Sequence, residues 1–354
     1  MIKHTLSVVA ISFLFATAAI PAIARTAVAP QLDVVAALES RPGNVAVSSG
    51  GRVFTTLHPL GSPAMQLVEI VDGKPVAYPN AQLQRKAGKS SDATFDTLLG
   101  LVFDKNDRLW VMDMGLDIGK TRVWAIDIGT GAVVEKIEVP ADVAPKGSFA
   151  QDLAVDETNG WVYLADIANP GIIAINLKDK SARRFGGHPS LQAEDIDMVI
   201  DGKVTQFGGK PARVAVDPIT LSSDRETLFF GPMNGTSWYQ VPANLFHEGK
   251  DDAAIGAAIR KAADKPVSDG AVTDAQGNHY FGDLQNHAVV KVQAGGTAPE
   301  TLVKDKRILW PDNIALGPQN WIYVSANQLN STPAFTGAGD EGKPPFFIYR
   351  FKQD

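Results

Sequence analysis

Runs of apolar residues alternate with short polar turns along most of this chain, and the same arrangement recurs. In the stretch LLGLVFDKNDRLWVMDMG, residues 98–115, two apolar runs flank Asp-Lys-Asn-Asp, which predicts two buried strands joined by a hairpin turn. Five further segments share this order of a small apolar strand, a polar turn and an aromatic-rich strand. These segments begin at Asn44, Gln151, Arg213, Asp269 and Asp312.

The spacing of the six hairpins predicts how they assemble. They recur about every 45 to 60 residues, which is the length of one four-stranded propeller blade. Further strands are predicted between them, in TRVWAIDI, AVVEKIEV and GIIAINL, and these would form the outer parts of the blades. Because a single sheet cannot bury both of its faces, we expect the sheets to stack around an axis as an all-β, six-bladed β-propeller.

Two more segments complete the expected fold. The strand DVVAAL near the start and PPFFIYRFK near the end should share the last blade and close the ring. Residues 249–264, GKDDAAIGAAIRKAAD, are rich in alanine and carry charges four positions apart, which predicts a surface helix between blades.

The first 24 residues have the pattern of a secretory signal peptide. Lys3 precedes an apolar run from Leu6 to Ile20, and Ala22 and Ala24 mark a cleavage site. Residues 25–354 would then form a single propeller domain that is periplasmic or secreted. An uncleaved membrane anchor is the alternative. No second apolar run approaches the length of a spanning helix, so no membrane contact is expected after cleavage.

Composition narrows the range of partners. The formal net charge is −6 and basic residues are not clustered, so a nucleic acid partner is not expected. The chain has no cysteine, so its stability must come from packing rather than from disulfides. We expect a monomer.

The residues directly before the inner strands are the candidate functional residues. In a propeller the first strand of each blade lines the central channel, so these side chains should converge at one mouth of it. The candidate ligand-binding residues are Asn44, Gln151, Asp152, Arg213, Asp269, Asp312 and Asn313. The alternative is that these Asp and Asn side chains bond the neighbouring backbone and fix turns. Converging carboxylates repel one another unless a cation, a proton or an arginine such as Arg213 compensates.

Two chemistries suit such a mouth. Oxygen ligands favour Ca²⁺ or another hard divalent cation, with Asp152 and Asp269 as the candidate metal ligands. Alternatively the carboxylates pair with a cationic small molecule, and Phe149 or Trp310 forms an apolar wall for an amine or a phenol-like ring. The sequence contains no GxSxG, P-loop or HExxH motif. Catalytic residues are therefore not assigned, and both a binding protein and an enzyme stay open.

Several blocks resemble, in order, the major royal jelly and Yellow protein family. They are RPGNVAV, LWVMDMG, FAQDLAVD, VYLADIANPGIIAINL, LFFGPMNGTSWYQVPANL, SDGAVTDAQGNHYFGDLQNHAVV and WPDNIALGPQNWIYVSANQL. The chain resembles a bacterial member, and the segment between Trp238 and Asp269 carries the resemblance most specifically. The resemblance implies a six-bladed propeller that binds a small amine or aromatic metabolite in its channel, or one linked to dopachrome conversion. Insect members carry disulfides, which this chain lacks.

More distantly, the chain is similar to the senescence marker protein and gluconolactonase family. Propellers of that family hold a divalent metal through an acidic residue, an Asn and an Asp. Asp269 in SDG matches the Asp, whereas Gln151 stands where the Asn is expected and Arg41, Pro42, Gly43 and Asn44 stand where the acidic residue is expected. This resemblance implies the alternative function of a divalent-metal-dependent hydrolase acting on a lactone or ester.

Overall fold

Six four-stranded antiparallel sheets form the body of the protein in a computed structural model that describes residues 1–2, 30–85 and 90–353. The expected signal peptide, residues 1–24, lies almost entirely outside the described residues. Its cleavage and the export of the chain therefore stay predictions. The monomeric state also stays a prediction, since the structure contains a single chain. None of the helices in the described parts of the chain is long and apolar enough to span a membrane.

We number the blades 1 to 6 in the order of their inner strands and give the strands of each from the axis outwards. Blade 1 contains Pro42–Val47, Val53–Leu57, Leu67–Val71 and Lys74–Ala77. Blade 2 contains Leu98–Phe103, Arg108–Asp113, Arg122–Asp127 and Val133–Glu138. Blade 3 contains Ala150–Asp156, Trp161–Asp166, Gly171–Asn176 and Ala182–Gly186.

The remaining blades follow the same order. Blade 4 contains Val216–Leu221, Thr227–Pro232, Ser237–Pro242 and Arg260–Asp264. Blade 5 contains Ala271–Thr273, His279–Asp283, Ala288–Val292 and Glu300–Lys304. Blade 6 contains Pro311–Leu316, Trp321–Ala326, Phe346–Lys352 and Asp33–Leu38. The predicted six-bladed propeller is confirmed.

Neighbouring blades are held together by apolar clusters, one in each of the six gaps between blades. Between blades 3 and 4, for example, Tyr163, Ile172, Phe230 and Val241 are all fully buried. Burying one such side chain contributes about 1.5 to 3 kcal/mol. These clusters explain how a chain without cysteine forms a ring of this size.

The two ends of the described chain meet in blade 6, as the sequence predicted. The strand Asp33–Leu38 pairs antiparallel with Phe346–Lys352, so that Leu38 lies opposite Phe346. Arg41 also stabilises this junction. Its guanidinium donates to both carboxylate oxygens of Asp340, at 2.6 and 2.7 Å, and lies over the ring of Phe346.

The connections between strands include short helices and two small hairpins. The helices are Pro59–Gly61, Pro189–Leu191, Asn244–His247, Asp252–Ala258, Pro318–Asn320, Leu329–Ser331 and Pro333–Thr336. The hairpins are Val199–Ile200 with Lys203–Val204, and Gln206–Phe207 with Lys210–Pro211. Both hairpins lie in the long connection between blades 3 and 4.

The prediction of one helix over residues 249–264 was wrong. Only Asp252–Ala258 is helical there, starting from an N-cap in which Asp251 accepts a hydrogen bond from the backbone of Ala254. Ile259 is extended, and Arg260–Asp264 forms the outer strand of blade 4 by pairing with the third strand. The charges and alanines of this strand suit a helix equally well, so pairing with the sheet decides its structure.

Candidate functional site

A bulge at the start of five of the six inner strands positions polar side chains of the channel. In blades 1, 2, 4 and 6 the strand pairing skips two residues, and in blade 3 it skips one. The skipped residues are Gly43 and Asn44, Leu99 and Gly100, Gln151, Asp217 and Pro218, and Asp312 and Asn313. Bulges commonly redirect side chains in this way. In blade 5, Asp269 and Gly270 directly precede the inner strand.

Hydrogen bonds between these side chains connect blades that are not neighbours in the ring. Asn44 of blade 1 donates from Nδ2 to Oδ1 of Asp152 in blade 3, at 2.6 Å. Gln151 of blade 3 donates from Nε2 to Oδ1 of Asp269 in blade 5, at 2.7 Å, and to Oδ2 of Asp217 in blade 4, at 3.2 Å. Blades 1 and 3 are not neighbours, nor are blades 3 and 5. The side chains therefore span the channel.

We call the buried polar residues at this level the channel plug. They are Asn44, Gln151, Asp152, Asp217, Asp269, Asp312 and Asn313, and none is more than 6% exposed. The structure thus brings together six of the seven residues expected from the sequence. The plug also contains Asp217, which was not predicted from the sequence.

Arg213 is the expected residue that the structure does not bring to the plug. The inner strand of blade 4 begins at Val216 rather than at Arg213. The Arg213 guanidinium donates to Asp195 and Asp197 on a partly exposed surface. The sequence contained a signal that identifies Asp217, because VDPITL of blade 4 aligns with PDNIAL of blade 6 and shares its Asp, Ile and Leu.

Further donors hold the carboxylates from outside the ring. Trp310 donates from Nε1 to Oδ2 of Asp269, and Asn327 donates from Nδ2 to Oδ2 of Asp312, both at 2.5 Å. Two buried carboxylate oxygens, Oδ1 of Asp217 and Oδ1 of Asp312, have no hydrogen-bond partner among the described residues. The plug therefore has unused acceptor capacity for a ligand that donates hydrogen bonds.

Burial raises the pKa values of all four plug aspartates. It raises the pKa of Asp152 to about 8 and that of Asp269 to about 6. Burial, followed by the negative charge of Asp269, raises the pKa values of Asp217 and Asp312 well above their usual range. Within the described residues no arginine or lysine hydrogen-bonds to these carboxylates. The plug consequently holds protons near neutral pH or requires a cation.

Lys265 is buried beside the plug, but it does not hydrogen-bond to the plug carboxylates. Lys265 donates from Nζ to the backbone oxygens of Gly235 and Pro266, at 3.0 Å each. Burial lowers the pKa of Lys265 to about 7, against the opposing influence of nearby acids. Its charge is thus only partly available to the carboxylates at neutral pH.

A cavity of about 300 Å³ occupies the channel on one side of the plug. Most of its wall comes from the inner strands directly after the plug residues. These wall segments are Val45–Val47, Leu101–Phe103, Leu153–Val155, Ile219–Leu221, Ala271–Ala275 and Asn313–Leu316. Arg225 also lines the cavity, at the turn that follows the inner strand of blade 4. Asn313 is the plug residue that lines the cavity, and Arg225 and Asp274 line it at the ends of their inner strands away from the plug.

An apolar cluster that includes Trp310 lies next to the plug, outside this cavity. It contains Met198, Ile200, Met233, Val267, Leu284, Trp310, Leu329 and Phe335. The ring of Trp310 packs edge-on against Phe335, with centroids 4.9 Å apart. Trp310 is 1% exposed and is not among the residues that line the cavity. Its role at the plug is the hydrogen bond that it donates to Asp269.

The plug as arranged does not match a metal site. In the parts of the chain that the structure describes, no group of three or more Asp, Glu or His side chains is placed to hold a metal ion. The N–H groups of Asn44, Gln151, Trp310 and Asn327 point at carboxylate oxygens that a metal would need. We therefore derive no chemical step through a metal, and Ca²⁺ on Asp152 and Asp269 stays a prediction.

Comparison with known sequences agrees with the resemblance to the major royal jelly protein family. The sequence profile described as "Major royal jelly protein" matches residues 98–332. Major royal jelly protein 1 of Apis mellifera is 28% identical over 178 residues, which are 44% of this chain and 40% of that protein. Major royal jelly protein 9 of Apis mellifera is 24% identical over 227 residues, which are 57% and 50%. The chain thus spans half or less of the length of these relatives.

Solved structures share the fold at low sequence identity. A gluconolactonase from Xanthomonas campestris is 12% identical, with a TM-score of 0.56 over 91% of this chain and 89% of that chain. The calcium-binding protein regucalcin from Agrobacterium tumefaciens is 14% identical, with a TM-score of 0.55 over 92% and 96%. At these identities the likeness establishes the propeller architecture alone.

Proposed function

Since this chain belongs to the major royal jelly protein family, whose profile covers five of its six inner strands, we propose that it binds a small organic amine in its central channel. The protonated amine lies against the channel plug, and an aromatic or apolar body fills the cavity. The observation that carries this proposal is the pair of unpartnered carboxylate oxygens on Asp217 and Asp312.

The chemistry of an ammonium group matches the needs of these two aspartates. A buried acceptor without a partner costs about 1 to 3 kcal/mol, and an ammonium group supplies up to three N–H donors. Its positive charge also compensates the carboxylates, whose mutual repulsion contributes to the raised pKa values of Asp217 and Asp312. A neutral ligand of the same shape would satisfy the acceptors without relieving the repulsion.

The walls of the cavity match the body of such a ligand. The residues that line it include the aliphatic Leu101, Leu153, Ile219 and Ile314 and the aromatic Phe103. A volume of about 300 Å³ is at the lower end of the range for small-molecule sites. An arylalkylamine with a single ring is of suitable size.

We expect phenethylamine to raise the melting temperature of the protein and to bind in calorimetric titration, whereas phenethyl alcohol should do neither. The Asp312→Asn variant should bind phenethylamine at least about tenfold more weakly, because its amide places an N–H donor where the ammonium group donates. The control is Asp195→Asn, which removes a carboxylate that is 98% exposed and lies outside the plug. Equal responses to the amine and the alcohol would contradict the proposal.

A lactone or ester hydrolase of the gluconolactonase type is the second candidate. One observation favours it: a carboxyl with a pKa of about 6, that of Asp269, is suited to general-base catalysis near neutral pH. Metal analysis of protein purified without chelator, followed by lactone hydrolysis with and without EDTA, separates the two candidates. Stoichiometric metal with EDTA-sensitive turnover would favour the hydrolase, and metal-free protein stabilised by the amine would favour binding.

A further inference from the structure

We propose that Arg225 binds an anionic group at the open end of the channel, so that the ligand of this site is bipolar. The amine lies at the channel plug and a carboxylate lies at Arg225. This inference rests on the proposed function, because it extends the same ligand from one end of the cavity to the other.

Arg225 and the plug lie at opposite ends of one inner strand. Asp217 is at the start of the strand Val216–Leu221, and Arg225 is in the turn that follows its end. At about 3.3 Å per residue the four steps from Asp217 to Leu221 span at most about 13 Å, because the bulge at Asp217 and Pro218 shortens the strand. The side chain of Arg225 lines the cavity that fills this interval. A ligand that occupies the cavity therefore has the plug at one end and Arg225 at the other. Asp274 also lines the Arg225 end, but both of its oxygens already accept hydrogen bonds from Asn278, Gln276 and Tyr280.

The turn that carries Arg225 does not itself favour arginine. Four blades use the same turn, in which the backbone N–H of its fourth residue donates to the oxygen of the first and that residue has a positive φ. The fourth residues are Gly51, Asp107, Arg225 and Gly277, with φ of 84°, 56°, 67° and 85°. Glycine adopts this conformation without steric cost, whereas arginine does not. The strain at Arg225 indicates that its side chain serves something other than the turn.

The hydrogen bonds of Arg225 involve only one of its three guanidinium nitrogens. Nη2 donates to both oxygens of Glu157, at 3.1 and 3.3 Å. Nε is buried and has no hydrogen-bond partner among the described residues. Glu157 thus engages one nitrogen and not the two-pronged face that suits a carboxylate. A ligand carboxylate would satisfy the buried Nε–H, as the ammonium group satisfies the free oxygens of the plug.

Two matched compounds test the inference. Phenethylamine carries the amine alone, and para-carboxyphenethylamine carries the same amine with a carboxylate at the far side of the ring. We expect wild-type protein to bind the carboxylated compound about tenfold more tightly in calorimetric titration, as a charge-assisted hydrogen bond would give. In Arg225→Gln the ratio of the two affinities should fall to about one. In Arg183→Gln, which changes an arginine that contacts Lys250 and Asp252 outside the cavity, the ratio should stay as in the wild type.

A second variant separates binding from folding. Arg225→Gly places at this turn the residue that blades 1 and 5 already have there, so it should fold and show the same loss of carboxylate preference. Its melting temperature should fall because Glu157 loses its ion-pair partner. Equal binding of the two compounds to the wild type would overturn the bipolar ligand and leave the amine site standing. An equal loss of both compounds in Arg225→Gln and Arg225→Gly would also overturn it, because the arginine would then only support the fold. Failure of both compounds to bind the wild type would overturn the proposed function itself.

Discussion

The Asp152→Asn variant should become progressively more stable than the wild type as the pH is raised from about 5 to about 8. The pKa of Asp152 is near 8 in the folded protein because of burial, and its ordinary value is 3.8. A raised folded-state pKa contributes stability that is fully present below the unfolded value and is lost as the pH rises through the folded value. Asparagine does not titrate, so the variant escapes this loss.

The expected size of the effect is large. One carboxyl group that holds a proton only in the folded state changes the free energy of unfolding by about 1.4 kcal/mol per pH unit. Over three pH units the difference between variant and wild type should therefore change by roughly 4 kcal/mol. Buried bases such as His58, whose pKa burial lowers to about 3, respond to pH in both proteins and cancel in this comparison.

Urea denaturation of both proteins at several pH values measures this difference. Asp152→Asn should keep the bond from Asn44, because its side-chain oxygen still accepts the Nδ2–H that Asp152 accepts. Asp195→Asn, outside the plug, serves as the comparison and should differ from the wild type by an amount that does not vary with pH. A constant difference for Asp152→Asn as well would show that this carboxyl is ionised throughout the range.

Replacing Gly100 with alanine should destabilise the protein by about 3 kcal/mol. A Cβ atom at this position would lie 2.4 Å from the backbone oxygen of Gln151 and 3.1 Å from Cα of Asp152. Both atoms belong to the inner strand of blade 3, so they can move away only if the strand moves. The absence of a side chain in blade 2 lets Asn44 of blade 1 reach Asp152 of blade 3.

Gly50→Ala provides the matched control for this substitution. Its added Cβ would have only the side-chain oxygen of Ser48 nearby, at 3.9 Å. Denaturation midpoints of the two variants, measured together with their affinities for phenethylamine, separate a steric effect at the plug from a general effect of losing a glycine. Similar midpoints for Gly100→Ala and Gly50→Ala would show that blade 3 accommodates the extra atom.

The fold was predictable from the sequence because its repeat recurs in every blade. The closure of blade 6 followed from the same pattern. The inner strand of blade 4 was misplaced because RVAV fits the pattern of a small apolar strand as well as VDPITL does. Pro218 also argues against a regular strand, and only the bulge, in which it has no pairing partner, makes its place in the strand possible.

The composition of the plug was largely predictable, but its connections were not. The repeat indicates which residues approach the axis, whereas the bonds of Gln151 to Asp217 and Asp269 depend on distances between blades that the repeat does not contain. Arg213 was expected to compensate the carboxylates because it precedes an apolar run. The local pairing of Arg213 with Asp195 and Asp197 could not be deduced from that position.

The pairing of Asp33–Leu38 with Phe346–Lys352 has a consequence for how the protein is made. During synthesis the first of these strands emerges early and has no partner until the last blade is nearly complete. Contacts between such distant parts of a chain form slowly, and the apolar faces of unfinished blades stay exposed in the meantime. A chain that ends before residue 346 would leave the ring open, with unpaired strand edges exposed. Truncated products should therefore be more prone to aggregation and proteolysis than the full-length chain.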